Sequence, residues 1–402
     1  YNEAQRTTTR TAPSGATLIT ITNPDGTPWE ESGTGQRNIR YGYEVVADGI
    51  RTTVSAKTSG GQWVAVSRTT RNGLGETIRE ERANTQGGWI VTEHSYNALG
   101  QLVRSRTGQM APTLYEYDVM GEVSKRTLAL EDVPTPQNSR VEQTSRTYES
   151  RADGVYDSIS TTTYNQNGDP LVETVSKLVS SLSPTLESRK ETTDIYGKIT
   201  EEWSEYTAPT WRTLYRKIPT STLVACSVVV DGWLRQATDN VGIETSQSRN
   251  FTATGMTISR TDGRGNTTVT ETDLAGRTVK LTDAAGAVTT TAYDSRFDQP
   301  SCITNALGNT TCYAYDIRGR KISEYGTAIQ PAVFGYDEMD HMIRLTTFRV
   351  PGSVITTDPS SRTDGDTTSW TYDEATGLQL KKTYADNSQL VYTYDAMNRQ
   401  ST

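Results

Sequence analysis

One phrase, tyrosine followed by aspartate, returns along this chain at a fixed step, and it constrains the fold more than any other feature. Tyr117-Asp118-Val119-Met120-Gly121, Tyr293-Asp294, Tyr315-Asp316-Ile317-Arg318-Gly319-Arg320, Tyr336-Asp337, Tyr372-Asp373-Glu374-Ala375-Thr376-Gly377 and Tyr394-Asp395-Ala396-Met397-Asn398-Arg399 are variants of it. The turn residues Asp262, Asp273, Asp283, Asp294, Asn305, Asp316 and Asp337 follow one another at steps of 11, 10, 11, 11, 11 and 21. The full phrase returns after 21 residues from Tyr96 to Tyr117 and after 22 from Tyr372 to Tyr394. A fixed period means one structural unit used many times.

The unit is readable as a turn. In Asp273-Leu274-Ala275-Gly276, Asp283-Ala284-Ala285-Gly286 and Asn305-Ala306-Leu307-Gly308, Asp or Asn leads and Gly closes. The leading side chain accepts hydrogen bonds from the turn backbone, and Gly supplies the left-handed residue. A type I turn followed by a left-handed residue is a hairpin connection. Asp340 and Asn398 stand where Gly stands elsewhere, and these residue types best tolerate positive φ after Gly. Removing the turn from the step leaves about seven residues per strand, an ordinary length. The intervening segments are rich in Thr, Val and Tyr, as in Val288-Thr289-Thr290-Thr291-Ala292-Tyr293. The expected class is therefore all-β, an antiparallel β-hairpin repeat array. At about 4.8 Å per strand, about 36 strands make a ribbon about 170 Å long. The best helical candidate has Leu171, Val175, Leu178 and Leu182 at helical spacing, but Thr174–Val179 reads equally well as strand and the context favours strand.

Aromatic doublets precede several turns: Tyr115/Tyr117, Tyr313/Tyr315, Phe334/Tyr336, Trp370/Tyr372 and Tyr392/Tyr394. Spacing of two puts both rings on one face. The expected result is a stripe of rings that stitches neighbouring hairpins; a sugar-binding platform is the functional alternative.

Composition fits thin sheets with wet faces. Only 33% of residues are hydrophobic, yet there are 21 Tyr and 7 Trp, which suit a pleated, half-exposed surface better than disorder. A net charge of -8 without a basic stripe argues against nucleic acid as a partner. No apolar run approaches a membrane span of about 20 residues. The chain opens at Tyr1, not at a methionine, and reads as a piece of a longer or processed polypeptide, so the missing leader carries no information.

The organisation expected from these signals has four parts. Residues 1–70 are a divergent Thr-rich β region, either the start of the array or a separate β-domain. Residues 71–345 are the repeat array, with irregular loops near 127–147 and 180–190. Residues 346–369 form an inserted, exposed loop. Residues 370–402 are the final repeats, truncated.

Little here points to chemistry. The chain has two histidines. His341 takes the slot that Arg320 fills in its own turn, and His94 precedes a strand end. No zinc spacing, nucleophile elbow or phosphate loop occurs, so no catalytic, metal or cofactor residue is assigned. Glu80-Glu81 and Glu201-Glu202 are adjacent pairs that point to opposite strand faces. Asp358, Asp364 and Asp366 lack the spacing of a calcium loop. Of three cysteines, Cys226 reads as an ordinary strand residue. Cys302 and Cys312 flank the turn Asn305–Gly308 and face each other across a hairpin, either as a disulfide or as two buried thiols. A disulfide would imply an oxidising compartment.

Thr272-Asp273-Leu274-Ala275-Gly276-Arg277 and Tyr313-Ala314-Tyr315-Asp316-Ile317-Arg318-Gly319-Arg320 resemble the repeats of the Rhs/YD-repeat family, with good matches from about residue 70 to 402. The resemblance implies a β-ribbon wound into a hollow shell, or an open part of one. It implies a secreted or surface bacterial protein whose parent encapsulates or delivers a C-terminal effector. Partners would be the rest of the shell and the enclosed effector domain, and any enzymatic activity would lie in that domain. The alternative is a surface adhesion or carbohydrate-binding protein that contacts glycans. One departure matters. The Asp-Pro-x-Gly-Leu motif that closes toxin-bearing shells is missing, since Asp358-Pro359 is followed by Ser360-Ser361.

Overall fold

The computed structural model describes residues 6–129, 139–165, 169–208, 211–349 and 356–401. These residues form 32 β-strands and one short 3-10 turn, Pro359–Ser361. Every pairing among them is antiparallel, and strands pair with their neighbours in chain order. The all-β hairpin array is thus the fold. The segment with helical spacing, Leu171 to Leu182, lies mostly in the strand Pro170–Ser181. Propensity and packing agree there, because Val175 and Val172 sit opposite Ile159 and Thr162 of the neighbouring strand.

The chain divides into two compact units. One comprises residues 1–95, 106–109 and 289–402, and the other residues 96–105 and 110–288. Within the first unit, the pairing runs without a break from Arg6–Thr11 to Trp89–Tyr96, so residue 70 falls inside the strand Trp63–Arg71.

Strand faces are held by hydroxyls more than by a thick apolar core. Ser158 and Ser176 are cross-strand partners, nearly fully buried, with their Oγ atoms 2.8 Å apart. Ser188 and Ser204 (2.7 Å) and Thr346 and Thr367 (2.8 Å) repeat the arrangement. Each pair satisfies its own polar atoms, so a sheet this polar can still exclude water. Arginines cover several of the tryptophans. Arg40 lies 4.3 Å from the Trp63 ring centre while pairing with Glu30 at 2.7 Å. Arg68 caps Trp89 and Arg249 caps Trp233, each at 4.1 Å.

Three stretches with irregular sequence fare differently. Of the first, near 127–147, residues 130–138 lie outside the described residues, and residues 139–147 belong to the 13-residue strand Ser139–Arg151, paired on both sides despite its spaced charges. Its charges sit against opposite charges: Arg146 pairs with Asp157 at 2.6 Å. Between 180 and 190, only residues 182–185 leave the strands Pro170–Ser181 and Leu186–Thr193.

The inserted loop is the third. Residues 346–347 end the strand Met342–Thr347, and residues 366–369 begin the strand Asp366–Tyr372, because Thr346 and Thr347 pair with Thr367 and Asp366. Most described residues of the connection, 349, 356–358 and 360–364, are exposed, and two buried side chains anchor it. Phe348 and Pro359 are among the most buried side chains, and Phe348 packs with Val333 and Tyr325. Gly365 permits this: a Cβ there would lie 2.4 Å from Thr346 Cγ2 and 2.9 Å from Phe348 Cε1. The acidic residues are engaged locally. Asp358 caps the 3-10 turn through Ser360, Asp364 pairs with Arg362, and Asp366 pairs with Arg349 at 2.6 Å.

Candidate functional site: a turn-to-turn seam

Each turn is built around one oxygen. Asp316 Oδ1 accepts from the backbone N–H of Arg318 (2.9 Å) and Arg320 (3.0 Å), while the Gly319 N–H donates to the Asp316 carbonyl at 3.0 Å. Asp118, Asp273, Asp283, Asp337 and Asp395 do the same with the residues two and four positions on. Gly121, Gly276, Gly286 and Gly319 take φ of 83°, 81°, 83° and 79°. Asp294 and Asp373 open longer turns, which close on Gln299 and Leu378, with Gly377 at φ 70°. The second carboxylate oxygen holds the residue four positions on. Arg277, Arg320 and Arg399 reach Asp273, Asp316 and Asp395 at 2.8, 2.7 and 2.7 Å. His341 does this for Asp337, with Nδ1 3.0 Å from Oδ2 and its ring stacked on Tyr372 at 4.6 Å. These contacts hold the Asp273 carboxyl below the usual carboxylate range, the Arg277 side chain contributing most and the turn amides next.

The tyrosine acts through its hydroxyl. Tyr117, Tyr315, Tyr336 and Tyr394 donate to the carbonyls of Leu102, Pro300, Lys321 and Gln379 at 2.7, 2.7, 3.0 and 2.8 Å, each 15 residues back. Tyr372 reaches Met342 at 2.9 Å across the long connection. In every case the acceptor begins the first strand of a pair; Tyr117, Tyr315, Tyr336 and Tyr372 end the second, while Tyr394 lies beyond the strand Gln389–Val391 in an isolated bridge to Gln400, so the bond clamps the open end of a hairpin. The inner aromatic of a doublet does not share this clamp; Tyr313 and Phe334, of neighbouring hairpins, flank Lys321 Nζ at 5.6 and 4.7 Å. Sequence reading missed the clamp because only register brings the two ends together. It also missed Tyr43, which donates to Pro28 at 2.8 Å, again 15 residues back, in the region that lacks the phrase. Tyr293 ends the strand Val288–Tyr293 opposite Pro300.

Cys302 and Cys312 are direct cross-strand partners, with an S–S distance of 2.03 Å. Cys226 is a half-buried free thiol in the strand Ala225–Val230.

Within the first unit the turns also meet other turns about 300 residues away. Turns of residues 12–109 lie against the repeat turns of residues 316–399. Ser14 Oγ donates to the Ile317 carbonyl at 3.0 Å. Arg318 is the centre of the contact, with its side chain only 9% exposed. It donates to the Thr34 carbonyl (3.0 Å), the Glu338 carbonyl (3.0 Å), Glu338 Oε2 (2.8 Å) and Asp340 Oδ1 (3.2 Å). Arg320 adds bonds to the Asp337 carbonyl and to Asp340 Oδ1, both 2.8 Å. Arg37 faces the same acidic turn. Burial holds its guanidinium below the ordinary arginine range, and Asp337 and Asp340 pull it back up.

The far end of the seam uses amides. Asn398 Nδ2 donates to the Ala83 carbonyl and Asn398 Oδ1 accepts from the Thr85 N–H, both at 3.1 Å. Asn84 Nδ2 answers with a 3.0 Å bond to the Ala396 carbonyl. Met397 packs on Gly108, where a Cβ would approach its sulfur to 3.1 Å. This accounts for two departures from the repeat. Asp340 and Asn398 hold φ of 66° and 61° in place of Gly, and both spend their side chains on the seam or on the turn beside it.

A cleft of about 390 Å³ adjoins the seam, lined by Ser59, Glu338, His341, Trp370, Tyr372 and Glu374. Glu338 is engaged with Arg318 and His341 with Asp337, and Glu374 accepts from Ser59 Oγ at 3.5 Å. Among the described residues no group of three or more His, Cys, Asp or Glu is placed to hold a metal ion. Nor is any helix there long and apolar enough to cross a membrane.

Turn, clamp and period together define an antiparallel hairpin-repeat array built on a tyrosine–aspartate phrase. Over 96% of its length the chain is similar to a chain of the Photorhabdus luminescens Tc holotoxin pore, at 15% identity and a TM-score of 0.44. Similarity to the crystal structures of TcdB2-TccC3-Cdc42 and TcdB2-TccC3-TEV also covers 96%, at 16% and 13% identity, with a TM-score of 0.43 for each. The chain spans less than a quarter of those chains, 22% of the first and 23% of the other two. No family model matches the sequence. No curated protein matches it.

Proposed function

We propose that this chain is a structural wall segment of a secreted or surface bacterial Rhs-type protein, whose parent encloses or delivers a C-terminal effector. The observation that carries the reading is the seam. A ribbon whose turns bond to its own turns some 300 residues on has a sealed edge where an open array would have a wet one. Function then resides in the wall: bonded rims exclude proteases and solvent, and the turn carboxylates are occupied by turn amides. The extracellular setting rests on the resemblance, and the Cys302–Cys312 bridge suits an oxidising compartment. Thiol titration of protein from its native source should find one free thiol per chain, that of Cys226; three would remove this support.

Glycan binding through aromatics is the weaker reading, because Trp63, Trp89 and Trp233 already carry arginines on their rings. The test is protease protection in the full parent polypeptide. The enclosed region should resist proteinase K in the wild type and become sensitive, about tenfold faster, when Arg318→Ala is combined with Asn398→Gly to open the seam. Equal sensitivity of the enclosed region in both proteins would overturn the reading.

A further inference from the structure

In the second unit, one face of the strands between residues 233 and 273 collects arginines. Arg260 stands opposite Gln247 and Thr268 of its two neighbouring strands, so the three side chains share a face. Arg249 lies two residues from Gln247 in the strand Glu244–Thr252 and joins them. Arg235 arrives by another route. Val228 and Val229 pair with Gln236 and Leu234, which leaves Arg235 as the extra residue of a bulge, a device that re-aims a side chain. The acids of the same strands go the other way. Glu244 is three residues from Gln247. Glu271 and Asp273 stand opposite Thr257 and Gly255, three and five residues from Arg260. All three acids therefore take the opposite face, where Lys280 pairs with Glu271 at 2.7 Å. In a chain of net charge -8, this face carries three guanidinium groups and no carboxylate from these strands.

A trough of about 970 Å³ lies on the face, lined by Leu234, Arg235, Thr245, Gln247, Arg260 and Thr268. Arg249 stands beside it, 4.1 Å from the Trp233 ring centre and 5.5 Å from that of Phe251. The two lining arginines are uncommitted. Arg235 makes no hydrogen bond or ion pair among the described residues. Arg260 makes one, from Nε to Gln247 Oε1 at 2.9 Å, which orients its guanidinium and leaves the terminal nitrogens to the trough. Their strands are two apart, a separation of about 10 Å. At the rim the trough ends on two turns whose acids are occupied. Asp262 Oδ1 accepts from the Arg264 and Asn266 amides, and Asp283 Oδ1 from those of Ala285 and Ala287.

We propose that this trough binds an acidic peptide segment in an extended conformation. A guanidinium fork matches a carboxylate bidentately. In a polyproline-type chain, carboxylates three residues apart lie on one side at about 9 Å, close to the separation of the two arginine strands. Thr245, Gln247 and Thr268 supply hydrogen-bonding groups for the peptide backbone, and Leu234, Ala284 and Ala285 supply apolar contact. A nucleic acid fits less well, because its closely spaced phosphates would meet the charges of Asp262 and Asp283 at the rim. A sugar polymer finds no aromatic ring among the lining residues on which to stack. The proposal does not rest on the enclosure of an effector.

Fluorescence polarisation on the full chain tests it, with a labelled peptide of repeated glutamate–alanine–proline as the probe. The wild type should bind it at low salt with a Kd of about 100 µM or tighter. Affinity should fall about tenfold as salt rises to about 0.2 M. Arg235→Gln and Arg260→Gln should each weaken binding about tenfold, the worth of one bond to a charged group. Far-UV circular dichroism should stay unchanged in both. Lys280→Gln, on the opposite face, should bind as the wild type does. Arg235→Glu combined with Arg260→Glu should lose the acidic probe and take its lysine counterpart, a gain that unfolding does not produce. The proposal would be overturned by an absence of wild-type binding, by an equal loss in Lys280→Gln, or by a charge-reversed variant that gains nothing. Equal wild-type affinity for the glutamine counterpart of the probe, for oligothymidylate or for oligogalacturonate would overturn it too. Protease protection of an enclosed region should not change in these variants, so failure here leaves the wall reading standing.

Discussion

The Asp316 carboxylate accepts from two turn amides and from Arg320, and one residue before it the Tyr315 hydroxyl clamps the hairpin on Pro300. The adjacent letters of the phrase thus have separate jobs, one closing a turn and the other closing the opposite opening. Tyr315 is nearly buried, and burial raises its hydroxyl pKa, so it stays a donor at any ordinary pH. Tyr315→Phe should destabilise the chain by about 1 kcal/mol, the net worth of one hydrogen bond plus a carbonyl left without its donor. Tyr313→Phe is the control, since that hydroxyl makes no such bond, and its urea midpoint should stay near wild type. Equal midpoints for both variants would show that the clamp contributes nothing. The Asp and the period were legible at this scale because turn chemistry is local. The clamp was not, since its acceptor is a backbone carbonyl that no residue type marks.

At the scale of the element, the seam inverts a simple propensity argument. Asn398 sits at φ 61°, where Gly is intrinsically favoured, so Asn398→Gly should help an isolated hairpin. In this protein the same change removes both amide bonds to residues 83–85. Hydrogen exchange at residues 83–86 should therefore rise about tenfold, equivalent to about 1.4 kcal/mol, while the turn at 395–399 stays protected. Slower exchange at 83–86 would mean that local backbone preference outweighs the seam. Hairpin length and strand type were readable from spacing at this scale. Ser139–Arg151 and the strap around Phe348 and Pro359 were not, because their regularity depends on what a neighbouring strand offers. Charges spaced along a strand look like a loop until the partner's opposite charges are in register.

For the molecule as a whole, the many turn aspartates set the response to acid. The carboxyls of Asp262, Asp273 and Asp294 lie below the usual carboxylate range, chiefly through bonds from Asn266, Arg277 and Arg296; Asp395 is lowered first by the Arg399 amide. A carboxyl whose folded pKa is depressed contributes stability that is complete above its unfolded value, about 3.9. That contribution is lost as pH falls through the lower folded value. The urea midpoint should thus be flat above about pH 5 and fall steeply below about pH 4, less steeply in Asp273→Asn. A decline already complete between pH 7 and pH 5 would assign acid sensitivity to other groups.

The sequence by itself determined the repeat: turn type, hairpin order and, in the regular copies, strand length all follow from residue types at an 11-residue step, since each is settled within a few residues of chain. It also determined that Asp340 and Asn398 would occupy left-handed turn positions, as residues able to bear that backbone. Only the tertiary structure decided what those two side chains do there. Asp340 receives Arg318 beside Thr34, and Asn398 reads the backbone of residues 83–85. The physical reason is distance along the chain. A contact between turns some 300 residues apart depends on small twists summed over every intervening strand, and no residue carries that sum in its own letter.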